Sequence, residues 1–579
     1  MNGESSPATT WSIAFTTQLA RSGVKHIVIS PGSRSQALAL AADALSRSNA
    51  IDLSVHVCID ERTAGFYGLG LAVDSGVPTA LLCTSGSAPA HYLPALLEAK
   101  HSGIPLIALT ADRPVELRGV GANQTTNQTG MFGSAVHASI DVEAPVDDEG
   151  LCQQARSYAR DAVARSLSGA AEGRPGPVHL NIAFREPLSS PMATEALSSS
   201  DDAESDAEYS ATRLAVPRTI TLKPQPGTVV IAGHRAGPDA EQLARELGAV
   251  LIAEVHSGAR FGQNLAGAYR QLLDSPPEGH QISRVVCVGR PTLSRQVERL
   301  ISRDDIEQVV WQRDEPEPSN LSASAMVVDQ ITVSRMASES ETRKWVAPWV
   351  TASRKYLEID TERFDPPTPR VEDAASGDMP VRAGFAQQEM ALVRRPVTRR
   401  DIAREVWSHT WPTDQLVLGS SRMIREFDTV APGKKISVWA NRGLSGIDGT
   451  VATARGLASS RSLRGLPGVT RVVLGDLALL HDAGSFLLQE SERMNSKLQI
   501  FVVVDGGGSL FDSLEVADSA DRSSYERVIF TPSQADLGSL AAAYGWRYRK
   551  ATDLAGLSEA LADTGGQLLV ECPVDRAGH

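Results

Sequence analysis

Short runs of β-branched and aliphatic residues alternate along most of the chain with longer segments rich in alanine and leucine. Residues 26–30, 105–110 and 177–183 are runs of the first kind in the N-terminal part, and residues 228–232 and 284–290 continue them in the middle. Residues 416–418, 471–474, 498–504 and 568–572 carry them to the C-terminal end. Strands covered on both faces read as near-continuous apolar runs, and helices between them supply the cover. The pattern predicts an α/β protein made of three doubly wound domains with parallel sheets.

Breaks in this alternation set the expected boundaries. From 189 to 217 the chain turns serine- and acid-rich, with Ser-Ser-Ser-Asp-Asp-Ala-Glu-Ser-Asp at its centre, and has almost nothing to bury. We read residues 1–188 as an N-terminal domain, 189–217 as an acidic, serine-rich linker, 218–390 as a central α/β domain and 391–579 as a C-terminal domain. At 579 residues the chain exceeds what one core supports, in keeping with several domains.

Composition narrows the function. With 42% hydrophobic and 22% charged residues the chain is of ordinary globular type, and a net charge of −13 speaks against nucleic acid as a partner. The cysteines (Cys58, Cys83, Cys152, Cys287, Cys572) form no Cys-x-x-Cys pair and read as buried thiols in a reducing compartment. The first residues lack a basic and apolar leader pattern, and no run is long enough to span a membrane, so the expected location is cytoplasmic. Phosphate-loop, dinucleotide-glycine, His-Glu-x-x-His and Gly-x-Ser-x-Gly signatures are also missing from the sequence.

Gly475-Asp476-Leu477 closes one apolar run, and Asp505-Gly506-Gly507-Gly508-Ser509-Leu510-Phe511 closes the next. Ligands of parallel sheets collect beyond the carboxyl ends of the strands. Two carboxylates and a glycine-rich turn there suit a hard divalent cation with diphosphate oxygens, although a helix cap and a plain turn would use the same residues. Ile59-Asp60-Glu61-Arg62 follows another strand-like run and leads into a Gly/Ala-rich helix.

These motifs resemble those of thiamine-diphosphate enzymes. The resemblance implies Asp476 and Asp505 as side-chain ligands and Gly507 as a carbonyl ligand of Mg²⁺ (or Mn²⁺), with Gly475, Gly508, Leu510 and Phe511 along the cofactor. It implies Glu61 as the carboxyl group set against the aminopyrimidine ring, and Ile447 as the bulky apolar residue beneath the cofactor, both counted as catalytic. The family usually has asparagines where this chain has Val504 and Asp505, which implies one extra negative charge at the metal.

Pro31-Gly32-Ser33-Arg34, Ala111-Asp112-Arg113-Pro114, Gly121-Ala122-Asn123-Gln124 and Asn441-Arg442-Gly443-Leu444-Ser445-Gly446 together resemble the family of 2-succinyl-5-enolpyruvyl-6-hydroxy-3-cyclohexene-1-carboxylate synthases. The likeness runs over nearly the whole chain in the same motif order. It implies a transferase of menaquinone biosynthesis that decarboxylates 2-oxoglutarate and joins the remaining four carbons to isochorismate. It implies a homodimer or homotetramer with active sites at the subunit interface.

Both substrates carry two carboxylates, which planar guanidinium groups bind in bidentate fashion. Arg34, Arg113, Arg425 and Arg442 each follow a strand-like run and are expected in loops; Arg295 is expected to join them from the central domain. Ser33, Asn123, Gln124 and Ser421 match polar positions that orient substrate. His91 stands where the family generally has asparagine, and we read it as structural. Two other readings stay open: an acetolactate-synthase-like ligase or decarboxylase, and a non-catalytic cofactor-binding sensor.

Overall fold

A computed structural model describes residues 5–48, 50–169, 173–191, 217–364 and 366–577. Residues 192–216, most of the expected linker, lie outside the described residues. The first sheet holds β1 (His26–Ile29), β2 (Ser54–Val57), β3 (Thr79–Cys83), β4 (Leu106–Asp112), β5 (Ser139–Val142) and β6 (Val178–Ala183). Its order is β2-β1-β3-β4-β6-β5, and all neighbours are parallel.

The second sheet holds β8 (Thr228–Ala232), β9 (Val250–Ala253), β10 (Arg284–Val288), β11 (Glu307–Trp311) and β12 (Met326–Val328), flanked by a parallel pair of β7 (Thr219–Leu222) and β13 (Gln330–Val333). The third holds β14 (Gln415–Leu418), β15 (Ser437–Trp439), β16 (Thr470–Gly475), β17 (Leu498–Val504), β18 (Arg547–Lys550) and β19 (Gln567–Pro573) in the order β15-β14-β16-β17-β19-β18. Counted from its own first strand, this is the order of the first sheet, a duplication of topology that no repeat of residues announces.

Alternate residues of each strand feed opposite faces, as period-two geometry requires. In the first sheet Ile27, Leu82 and Leu109 enter one core, and Val28, Leu81 and Ala108 enter the other. The doubly wound α/β architecture expected from the pattern is present in all three sheets. The boundary expected at 390, however, falls inside the helix Met379–Val393. That helix has no buried residue among those described, so no apolar stripe marks it in the sequence. The thiols are free; four are buried and Cys152 is half-buried, a partial correction to the expectation that all are buried. Among the described residues no helix is long and apolar enough to cross a membrane.

The first and third sheets are joined by the helices Glu61–Ser75 and Thr450–Leu463. A Cβ on Gly70 would lie 2.0 Å from the Thr453 carbonyl oxygen, and one on Gly456 would lie 2.1 Å from that of Tyr67. Reciprocal glycines thus bring the two backbones into direct contact. Arg62 Nη2 donates to the His481 carbonyl (2.8 Å), and the Thr63 and Ser485 hydroxyls meet at 3.2 Å beside this crossing.

Under the same helix lies a buried chain in which His26 Nδ1 is 3.3 Å from His56 Nε2, and His56 Nδ1 is 3.0 Å from the Tyr67 hydroxyl. Burial keeps both rings neutral, lowering His26 to about 4 and His56 to about 3. The unfolded chain takes up these protons near pH 6.5 and the folded chain does not until pH nears 4. Stability present above pH 6.5 is therefore lost as pH falls, by about 3 kcal/mol for His26 alone at pH 4. Thermal midpoints at pH 7 and pH 4.5 should show a drop that shrinks in His26→Gln; an undiminished drop would contradict the assignment.

Candidate active site

In the third sheet the strand order reverses between β14 and β16, which opens a crevice at their carboxyl ends. Asp476 begins the helix Asp476–His481 directly after β16. The register Gly475↔Val503 sets Asp476 and Asp505 at the same end of adjacent strands. Asp476 Oδ1 accepts from the Leu477 N–H (2.8 Å) and Oδ2 from the Gly506 N–H (3.0 Å), which ties the glycine turn to the helix start. Burial first, then the Asp505 charge, pushes the Asp476 carboxyl up to about 6.

Asp505 Oδ2 accepts from Arg399 Nη2 (2.7 Å) and from the Ser509 hydroxyl. Arg399 is buried, so a guanidinium from the helix Arg399–His409 is paired with the extra negative charge expected at this site. The sequence held no signal for that pairing.

These residues fit a cation bound to a diphosphate. The donors are all oxygens, and Asp505 raises the Asp476 carboxyl by a repulsion that a cation between them would relieve. Glycine is required in the turn, because a Cβ on Gly507 would lie 2.5 Å from the Phe530 carbonyl oxygen. A Cβ on Gly475 or Gly506 would meet no heavy atom within 4 Å, so the backbone there is open to a ligand. Gly508 is buried behind the turn, Leu510 is half-buried, and Phe511 is exposed.

At the other crevice, Glu61 opens the helix Glu61–Ser75 next to its cap Asp60, whose Oδ1 accepts from the Arg62 (2.8 Å) and Thr63 (3.3 Å) N–H groups. Glu61 is half-buried in front of the buried Cys83 and Tyr92. The loops after β1, β3 and β4 meet nearby. Arg34 Nη1 donates to the Phe184 carbonyl (3.0 Å), Arg113 donates to the Ser85 hydroxyl, and Gln124 Nε2 donates to the Ser85 carbonyl (2.9 Å). Arg34 is lowered by burial and then by the like charge of Arg113, an arrangement that favours an anion between them. Ser33 and Asn123 are exposed on the same loops.

A third patch is a cavity of about 730 Å³ between the second and third sheets, walled in part by Arg270, Arg290, Arg295, Arg425, Thr292 and Leu510. Arg295 and Arg425 were expected here; Arg270 and Arg290 were not. Arg290 follows β10 in the same manner as the other arginines, so that signal could have found it, whereas Arg270 lies in a short helix without one. Arg425 corrects the loop expectation, since it lies within the helix Arg422–Val430. Ser421 caps that helix by accepting from the Met423 N–H (3.2 Å), so its hydroxyl already has a backbone partner.

Arg442 is buried beside the cavity, with Nε donating to Thr292 Oγ1 (3.0 Å) and Nη2 to the Thr292 carbonyl (2.9 Å). Ile447 is 42% exposed. His91 is exposed on the short helix Ala88–Tyr92, so it is not a buried packing residue. Glu61, Ile447, the two aspartates and the Arg34–Arg113 group do not line this cavity, whereas Leu510 of the glycine-rich segment does.

Residues 10–131 match the family described as thiamine pyrophosphate enzyme, N-terminal TPP binding domain. The fold is similar to a solved benzoylformate decarboxylase from Polynucleobacter necessarius, with a TM-score of 0.62 and 14% identity over 98% of this chain and 99% of that one. The match over 10–131, together with the relatives that follow, makes this a thiamine-diphosphate enzyme. A 2-succinyl-5-enolpyruvyl-6-hydroxy-3-cyclohexene-1-carboxylate synthase of Leifsonia xyli subsp. xyli (strain CTCB07) is 46% identical, covering 98% of this chain and 97% of the relative. One of the same name from Clavibacter michiganensis subsp. michiganensis (strain NCPPB 382) is 45% identical, again covering 98% and 97%. The chain belongs to the 2-succinyl-5-enolpyruvyl-6-hydroxy-3-cyclohexene-1-carboxylate synthase family.

Proposed function

We propose that this protein is a transferase of menaquinone biosynthesis that decarboxylates 2-oxoglutarate and adds the remaining four-carbon unit to the ring alkene of isochorismate. The observation that carries the substrate class is the cavity in which Arg290, Arg295 and Arg425 share a wall with Leu510 of the glycine-rich segment. Guanidinium groups concentrated next to a cofactor loop suit substrates with two carboxylates each.

When bound, thiamine diphosphate supplies a nucleophilic carbon and a sink for the electron pair released with carbon dioxide. Asp476, Asp505 and the Gly507 carbonyl would hold Mg²⁺ (or Mn²⁺), with Gly475, Gly508, Leu510 and Phe511 beside the diphosphate. Glu61 exchanges a proton with the aminopyrimidine, and Ile447 gives an apolar surface beneath the cofactor. Arg34, Arg113, Arg295, Arg425 and Arg442 orient the carboxylates, assisted by Ser33, Asn123, Gln124 and Ser421. Together these side chains would exclude water, so that the four-carbon unit is joined to isochorismate and not lost to protonation.

We assign the pyrimidine side to the N-terminal block and the diphosphate side to the C-terminal block of a second copy. A homodimer is then the working unit, and a homotetramer a pair of such dimers, in the cytoplasm.

The test is a two-substrate assay with Mg²⁺ and thiamine diphosphate, the product identified by mass. Pyruvate lacks the second carboxylate, so replacing 2-oxoglutarate with it should lower kcat/KM by about 10- to 150-fold, the equivalent of about 1.5–3 kcal/mol for one charge-assisted contact. Faster turnover of pyruvate would favour an acetolactate-synthase-like ligase instead. Cofactor binding with no turnover of either donor would favour a sensor.

A further inference from the structure

Two buried glutamates from outside the C-terminal block hold the backbone on either side of the Arg442 side chain, Glu98 at 443–444 and Glu254 at 292–293. Glu98, in the helix Leu93–Ser102, accepts from the backbone N–H groups of Gly443 and Leu444, each at 2.8 Å. Contact there is as close as the chain permits, since a Cβ on Gly443 would lie 2.8 Å from the Glu98 carbonyl oxygen. Glu254 follows β9 and is 0% exposed. Its two oxygens accept from the Thr292 N–H at 2.9 and 3.0 Å, and Oε1 accepts from the Leu293 N–H at 2.7 Å. Thr292 is the residue to which Arg442 donates twice.

Burying a carboxylate is costly unless its lone pairs are occupied. Among the described residues neither glutamate forms a salt bridge with lysine or arginine. Apart from the Ser102 hydroxyl on Glu98, their hydrogen bonds go to the 292–293 and 443–444 backbone. One glutamate fixes the main chain next to Arg442, and the other fixes the threonine that holds its guanidinium. Nε and Nη2 of Arg442 are engaged with Thr292, while Nη1 makes no hydrogen bond among the described residues.

We infer that Glu98 and Glu254 are positioning residues for Arg442, holding its guanidinium so that Nη1 presents to a substrate carboxylate. The inference rests on the reading of Arg442 as a substrate ligand given above. Neither glutamate touches substrate; each acts through the 441–444 segment or through Thr292.

A double-mutant cycle on the holoenzyme tests it, with Arg442→Ala, Glu254→Gln and their combination compared in KM and kcat for both substrates. Arg442→Ala should raise KM for one substrate by about tenfold or more. Glu254→Gln should raise the same KM by about tenfold and leave thiamine diphosphate affinity, read by thermal shift, within about twofold of wild type. In the Arg442→Ala background, Glu254→Gln should change that KM by less than about twofold, because its route of action is already gone. Should Glu254→Gln fail to fold, Thr292→Val removes only the hydroxyl acceptor and should raise the same KM, while Thr292→Ser restores it.

An unchanged KM in Arg442→Ala overturns the substrate reading of Arg442 and the inference with it. A raised KM in Arg442→Ala with wild-type values in Glu254→Gln or Thr292→Val overturns the positioning inference alone. Equal effects of Glu254→Gln in both backgrounds, or a parallel loss of cofactor affinity, assign Glu254 a general structural role and overturn it too.

Discussion

Replacing Glu61 with glutamine is expected to lower turnover by about 10²- to 10⁴-fold while thiamine diphosphate still binds. Glutamine keeps the shape of the side chain and cannot ionise, so proton exchange at the aminopyrimidine is lost and little else changes. The helix start should survive, because its cap is the Asp60 carboxylate, which accepts from the Arg62 and Thr63 N–H groups. Carbon dioxide release from 2-oxoglutarate measures the first effect, and a cofactor-dependent thermal shift measures the second. Full activity in the variant would remove Glu61 from the mechanism.

The second large effect is expected at Asp476. Alanine there deletes the carboxylate proposed as a cation ligand and the bond that ties the Gly506 N–H to the helix start. Wild-type protein with cofactor and Mg²⁺ at about 100 times the dissociation constant should gain about 2.7 kcal/mol of stability, seen as a rise in thermal midpoint. In Asp476→Ala that rise should vanish, with the apo protein still folding cooperatively. A retained rise would place the cation and diphosphate elsewhere. Asp505→Asn is a weaker perturbation of the cation site and leaves Arg399 without its carboxylate, so the two variants separate a ligand effect from a charge effect.

The strand ends that carry the candidate residues were legible because their signals are local. Apolar runs ending in Gly475-Asp476 and in Asp505-Gly506-Gly507 mark strand ends, and strand ends are where parallel sheets open. What a strand pairs with is a long-range matter, and the order shared by the first and third sheets left no trace in the residues themselves. Arg399 illustrates the same limit, lying 106 positions from Asp505 in the chain and 2.7 Å from it in space. Arg425 was expected in a loop because it follows a strand closely, but Ser421 starts a helix before the loop has room to extend. Arg270 is brought to the cavity by Asp428, which it meets at 2.6 Å, and that carboxylate belongs to the C-terminal block. Glu254 and Glu98 were missed because one buried acid looks like another until its partners are known.

The glycine crossing at Gly70 and Gly456 bears on how the polypeptide can be divided. Cut away from the rest, a fragment covering the first sheet would show solvent a smooth ridge along Gly70, with apolar neighbours such as Phe66 newly wetted. Such a piece would aggregate or recruit a surrogate covering, so the N-terminal block is not a portable module. Fusions and truncations should keep both crossing helices in a single expressed product.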